Sequence, residues 1–373
     1  MIERAISEGG AQAAFEHLAE RFRAEKNYPL LFETRLMKAR YDLGLPLVHL
    51  DNEIPDDKLA AYEAATIGAA RETGRLFLDD GQIERAWPYL RAVGDIDVVR
   101  AAIERVDSGR ENLDRLIEIA YHERAHPLKG YELILETYGT CRAITFFHQY
   151  PDAKTREEGL RLLARRLHSE LTANLRRAIE SVEGTAPEGG SIPELIEGRG
   201  WLFGEYDAYA DTSHVVSVLN LLASADARDL HELGVEMAAY GQRLAPMFQQ
   251  RSDPPFDDFF RDIHTYLNAL LGNGVDGAAE HFTHKAREYD PDQYGYGAAE
   301  ALVVLLARTG RYAEAIEASL EFLSGANPQH VGAPTVLQLC QMAGDAERLR
   351  ALARERGDLL HYAAAALMDQ RVC

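Results

Sequence analysis

Hydrophobic positions along this chain recur at helical spacing from end to end. In AAFEHLAERFRAEK, YPLLFETRLMKARYDLG and KLAAYEAATIGAARETGRLFLDDG the apolar residues fall at i, i+3, i+4 and i+7, and each run stops at a Gly, Pro or Asp cluster. Alternating β-branched runs of strand length are essentially absent. SHVVSVLNLLA comes nearest, and it continues as a helical pattern. Ala and Leu dominate, and Ala is the best helix former. The pattern predicts an all-α protein.

The helices also repeat. Three C-terminal turns look alike: ALLGNGVDGAAEHF around Gly274, LLARTGRYAEAIEASL around Gly310 and QMAGDAERLRALA around Gly344. Each has an apolar helix, a Gly turn and a second helix with a small or apolar residue five positions after the Gly (Ala279, Ala315, Leu349). An earlier copy, TGRLFLDDGQIERAWPYLRAVG, turns at Gly81 with Ala86 in the same place.

This pattern resembles the tetratricopeptide repeat, a helix-turn-helix unit of about 34 residues. Gly74, Phe77, Ala86 and Leu90 fall where that repeat wants Gly, Tyr, Ala and Phe, and GRYAEAIEASLEFL matches it best; the Trp and Pro of the full pattern are mostly missing. The resemblance covers about a third of the chain. It implies a right-handed α-solenoid of helix hairpins, whose concave surface is lined by the first helix of each pair and binds a protein or peptide segment. The middle of the chain is helical without visible repetition. The expected organisation is N-terminal hairpins over 1–109, a central helical segment over 110–183, a linker or exposed loop over 184–205 (EGTAPEGGSIPELIEGRG) and C-terminal repeats over 206–373.

Composition narrows the partners. The 373 residues are 46% hydrophobic and 27% charged, as in ordinary globular proteins, and are too many for one small core. A formal charge of −20 argues against nucleic acid or an anionic membrane surface and leaves basic peptides, cations and neutral ligands. Cys141, Cys340 and Cys373 are far apart and odd in number, which points away from a disulfide framework and toward a reducing compartment. The N-terminal stretch has no apolar leader pattern, and no stretch approaches the ~18 apolar residues of a membrane span. A cytoplasmic location is expected.

One motif carries candidate chemistry. His122-Glu123-Arg124-Ala125-His126 is a literal H-E-x-x-H, which on a helix puts two imidazoles on one face to hold zinc, with Glu123 as general base. A third ligand would come from Glu132, which sits where metzincins have their third His, or from the Asp207, Asp211 and His214 group. Against this, Pro127 pushes His126 toward a helix end, and no sheet edge is expected to hold a peptide substrate. The competing reading is a polar turn between two helices. Asp211 or Thr212 likewise reads as the N-cap of SHVVSVLNLLA. Cys141 reads as a small buried hydrophobe, and His231, His281 and His284 as surface or satisfied core groups. G-x-S-x-G, P-loop and C-x-x-C patterns are missing. Two functions follow: an interaction scaffold, or a zinc-binding protein or metal-dependent hydrolase built on the HERAH segment.

Overall fold

The computed structural model describes residues 2–47, 54–111, 113–249, 254–327, 329–355 and 357–368. Among them there are nineteen α-helices and no strand, so the protein is all-α as the periodicity predicts. Its contacts divide it into two compact units, residues 1–159 and 160–373.

The first unit contains α1 (Ile2–Ala24), α2 (Tyr28–Asp42), α3 (Asp56–Asp79), α4 (Ile83–Ala92), α5 (Ile96–Ile103), α6 (Leu113–Ile117), a π-helical turn (Glu118–His122) and α7 (Pro127–Phe147). Successive helices from α1 to α5 pack on one another. The close approach of α3 and α4 has an identifiable cause. A Cβ on Gly74 would lie 2.4 Å from Leu90, so only glycine admits the Leu90 side chain. Phe77, Ala86 and Leu90 are buried beside it, at the positions the repeat resemblance picked out.

The division at 159/160 falls inside α8 (Arg156–Glu183). The second unit goes on with α9 (Ile192–Ile196), a 3-10 turn (Gly200–Leu202), α10 (Thr212–Ala223), α11 (Arg228–Gly241), α12 (Phe259–Leu270), α13 (Val275–Glu288) and α14 (Pro291–Tyr294). It ends with α15 (Gly297–Arg308), α16 (Tyr312–Phe322), α17 (Val336–Ala343), α18 (Ala346–Glu355) and α19 (Leu359–Met368). Most neighbours in this series pack in sequence order, and α10 also touches α12, as α12 touches α15. Within 184–205, expected as a linker or exposed loop, a Ser191/Glu194 capping box starts α9, whose Ile192, Leu195 and Ile196 are buried. The Gly and Pro residues around that short apolar run masked it in the sequence.

A common turn closes the helices. At Gly310 (φ 77) the N–H bonds to Ala307 O and the next N–H, of Arg311, bonds back to Leu306 O. This is a Schellman ending, which needs a residue in the left-handed region at the turn and so favours glycine. The same pair of bonds recurs at Gly44, Gly81, Gly94, Gly272, Gly344 and Gly357. The expected turn at Gly274 is thereby corrected. Gly272 closes α12, and Gly274 is the N-cap of α13. The small buried residue of that hairpin is consequently Ala278, with Ala279 only half-buried. In helix terms Ala86, Ala278, Ala315 and Leu349 are equivalent: each is the fourth residue of its helix and each is buried.

Candidate functional site

The HERAH segment lies in the first unit and does not form one helix. The π turn ends at His122, Arg124 takes a positive φ of 63°, and His126 is the N-cap of α7 ahead of Pro127. The two imidazoles therefore leave from different elements, and the shared helical face expected for them is not formed. Pro127 is the cause: it disfavours an α conformation at His126 and is well placed as the first residue of the next helix. Gly130 seats α7 on the turn, since a Cβ there would lie 2.7 Å from the Tyr121 backbone nitrogen. The buried Tyr121 and Tyr131 hydroxyls lock the same junction by donating to Phe146 O (2.6 Å) and Ala143 O (3.0 Å). Burial pushes both phenols well above their ordinary range.

The motif's polar atoms are already engaged. Glu123 Oε2 accepts from Trp87 Nε1 (2.7 Å) and Arg91 (2.5 Å), and Arg115 lies 3.0 Å from Oε1. His126 Nδ1 accepts from the Lys129 N–H (3.4 Å), which puts the ring proton on Nε2, facing Glu104 at 2.6 Å. Glu132 pairs with Lys129 Nζ at 3.1 Å. His122 is exposed and stacks edge-on to Tyr121 and Phe146. Asp211 and His214 belong to the second unit. There Asp211 is the N-cap of α10, accepting from the Ser213 hydroxyl (2.6 Å) and N–H (2.9 Å), bonds that hold its carboxyl below the ordinary range. His214 Nε2 lies 3.9 Å from Asp211 Oδ2, and Asp207 is exposed. Among the described residues no three or more His, Cys, Asp or Glu side chains are grouped so as to hold a metal ion. Cys141 is exposed rather than buried, because Gly139 (φ 76) interrupts α7 and resets the phase of its apolar face. Cys340 is buried, and Cys373 lies outside the described residues.

A different site stands out in the second unit. A cavity of about 760 Å3 opens between α10, α12 and α15, within the range of ligand-binding clefts. Each helix contributes one face at helical spacing: Val216, Asn220 and Ala223 from α10; Phe259, Asp262, Ile263 and Tyr266 from α12; Glu300, Ala301, Val304 and Arg308 from α15. Phe256 and Phe282 complete an aromatic wall. Glycines on α11 let the lining helices close up behind it. A Cβ on Gly234 would sit 2.6 Å from Leu267 and 3.3 Å from Leu222, and one on Gly241 would enter the Phe260 ring.

The electrostatics centre on Asp262, only 4% exposed. Its Oδ1 faces His281 Nε2 at 2.6 Å. Lys285 Nζ lies 3.2 Å from Oδ2 without the alignment of a hydrogen bond, so that oxygen accepts none within the protein. Lys285 is itself buried and donates to Pro255 O and to Asp257 Oδ1 (3.0 Å). Burial pushes the Asp262 carboxyl up, outweighing the pull of His281 and Lys285. Burial alone would lower the Lys285 ammonium, but its two carboxylates hold it above its ordinary range. On α15, Glu300 Oε2 accepts the Gly332 N–H (2.8 Å). Arg308 caps the C-terminal end of α10 through Ala223 O (2.5 Å) and Ala225 O, and contacts Asp226.

Motif reading missed this site because no motif spells it. The available signal was a carboxylate on an otherwise apolar helical face, Asp262 in FFRDIHTYLNAL and Glu300 in GAAEALVVLLAR. His231 and His281 are satisfied groups, as expected: His231 Nε2 meets Ala225 O at 2.8 Å, and His281 meets Asp262. The site belongs to an all-α protein of stacked neighbouring helices. No family model, curated protein or solved structure matches the chain.

Proposed function

We propose that this chain is a protein- or peptide-binding module of tetratricopeptide-like helix hairpins, and that the cleft on α10, α12 and α15 is its binding surface. One observation carries the reading. Three helices, each leading into a partner helix behind it, turn their like faces to one cleft of about 760 Å3 with aromatic walls and a few polar groups. In the solenoid arrangement implied by the repeat resemblance, the first helices of successive pairs line the surface that takes the ligand. The recurring Schellman turns and the buried fourth residue of each second helix support the same arrangement. The engagement of both Glu123 oxygens and both His126 nitrogens favours this reading over a metal-dependent hydrolase.

The test is a selection of random peptides on the full chain, with Ala301→Trp as counter-target. Ala301 is a small residue in the cleft, and Trp fills the space. Peptides enriched on the wild type and lost on the variant are the expected result. Enrichment on both alike, or on neither, contradicts the proposal.

A further inference from the structure

The geometry points to a protonated amine, the lysine side chain of a bound peptide segment, as the group this cleft holds, with Asp262 and Glu300 as its carboxylate partners. This deepens the binding reading above and rests on it. Asp262 is a buried carboxylate lining the cavity with one oxygen that accepts no hydrogen bond. A buried polar atom left in that state is costly, of the order of 1–3 kcal/mol, unless something outside the chain completes it. Its neighbours do not balance the charge. Lys285 is shared between Asp257 and Asp262, so two carboxylates face one ammonium, and Glu300 adds a third.

The choice of ammonium over guanidinium follows from how many oxygens remain. His281 occupies Asp262 Oδ1 and the Gly332 N–H occupies Glu300 Oε2, which leaves one oxygen on each carboxylate. Arginine prefers both oxygens of one carboxylate in a fork, whereas an ammonium is a point charge with three donors that bonds to separate acceptors. Phe259 and Tyr266 stand on the same face of α12 as Asp262, and rings so placed pack a lysine's methylene stem and attract its charge. An anionic group finds no such partner, because Arg308 is spent on Ala223 O, Ala225 O and Asp226. The chain's −20 charge draws a basic segment toward the site.

The experiment is calorimetric titration of the full chain with a capped pentapeptide carrying a central lysine between leucines. Matched peptides carry ε-acetyl-lysine or arginine at the same place. Acetylation is expected to weaken binding at least tenfold, and arginine to bind several-fold more weakly than lysine. Asp262→Asn and Glu300→Gln are each expected to reduce the lysine preference about fivefold while leaving affinity for the acetylated peptide unchanged. Should Asp262→Asn fail to fold, Glu300→Gln alone carries the test. Equal affinity for the lysine and acetyl-lysine peptides, both lost in Ala301→Trp, overturns the ammonium assignment and leaves the binding module standing. If none of the three peptides binds, both fall.

Discussion

At the scale of single residues, the carboxylate that the sequence made conspicuous and the one that shapes the cleft have opposite roles. Glu123 draws the eye because it sits inside H-E-x-x-H, yet it serves as an acceptor joining Trp87 and Arg91 of α4 to Arg115 of α6. Arg91 and Arg115 are each about half exposed, so their ion pairs contribute little. The Trp87 bond matters more, because Trp87 is 2% exposed and its N–H has no water to fall back on. Glu123→Ala is expected to lower unfolding stability by about 1–3 kcal/mol, measured by urea denaturation. Zinc titration of the wild type is expected to show no stoichiometric site that disappears in His122→Ala. Stoichiometric zinc lost with that imidazole would restore the metal reading. The motif was legible in the sequence, but its bonding was not, since Trp87, Arg91 and Glu104 approach it only through folding. Asp262 was legible only as an acid on an apolar stripe. Its value depends on His281 and Lys285 arriving from α13.

At the scale of helices, the glycines separate two kinds of position. A Cβ at Gly130 meets the Tyr121 backbone, which cannot move aside, whereas one at the exposed Gly68 in α3 meets nothing within 4 Å. Both are helical, so alanine brings the same propensity gain of about 1 kcal/mol. Gly68→Ala is expected to raise stability by about 0.5–1 kcal/mol, and Gly130→Ala to lower it by about 1–3 kcal/mol, as shifts in thermal midpoint of opposite sign. Helix ends were less legible than helix faces. The doublet Gly272 and Gly274 offered two glycines for one turn, and only the Gly272 and Asn273 bonds to Ala269 O and Asn268 O tell them apart.

A second element-level device is Glu236 on α11. It accepts from His168 of α8 (2.9 Å) and from the Ile192 N–H at the start of α9 (2.8 Å). Burial alone would raise its carboxyl, but those two bonds outweigh it and hold the carboxyl below its ordinary range. A depressed folded-state value gives a contribution that is complete above the ordinary glutamate pKa of about 4.3 and is lost as pH falls through the depressed value. The wild type is thus expected to melt above Glu236→Gln at neutral pH, with the gap closing as the solution is acidified below about pH 4. A gap that widens in acid would contradict the assigned direction.

At the scale of the whole molecule, the all-helical class was legible throughout, because period and composition agree in nearly every segment. No helix among the described residues is long and apolar enough to cross a membrane. The cleft was not legible, because it is made by three faces more than 80 residues apart in sequence, from Val216 to Arg308. Charge acts at this scale as well. Attraction between the −20 chain and a lysine peptide is screened by salt over a Debye length of about 10 Å at 0.1 M. Association is expected to slow as salt rises, while the fall in affinity stays modest because Asp262 is shielded from solvent. Stopped-flow and equilibrium titrations over a salt series separate the two.

The most direct test of the binding surface is amide hydrogen exchange of the full chain with and without the lysine peptide at saturation. The account expects new protection to concentrate in α10, α12 and α15, around Asn220, Tyr266 and Val304, with the Glu118–Lys129 segment unchanged. Protection confined to the first unit, or spread without regard to the cleft, would contradict it.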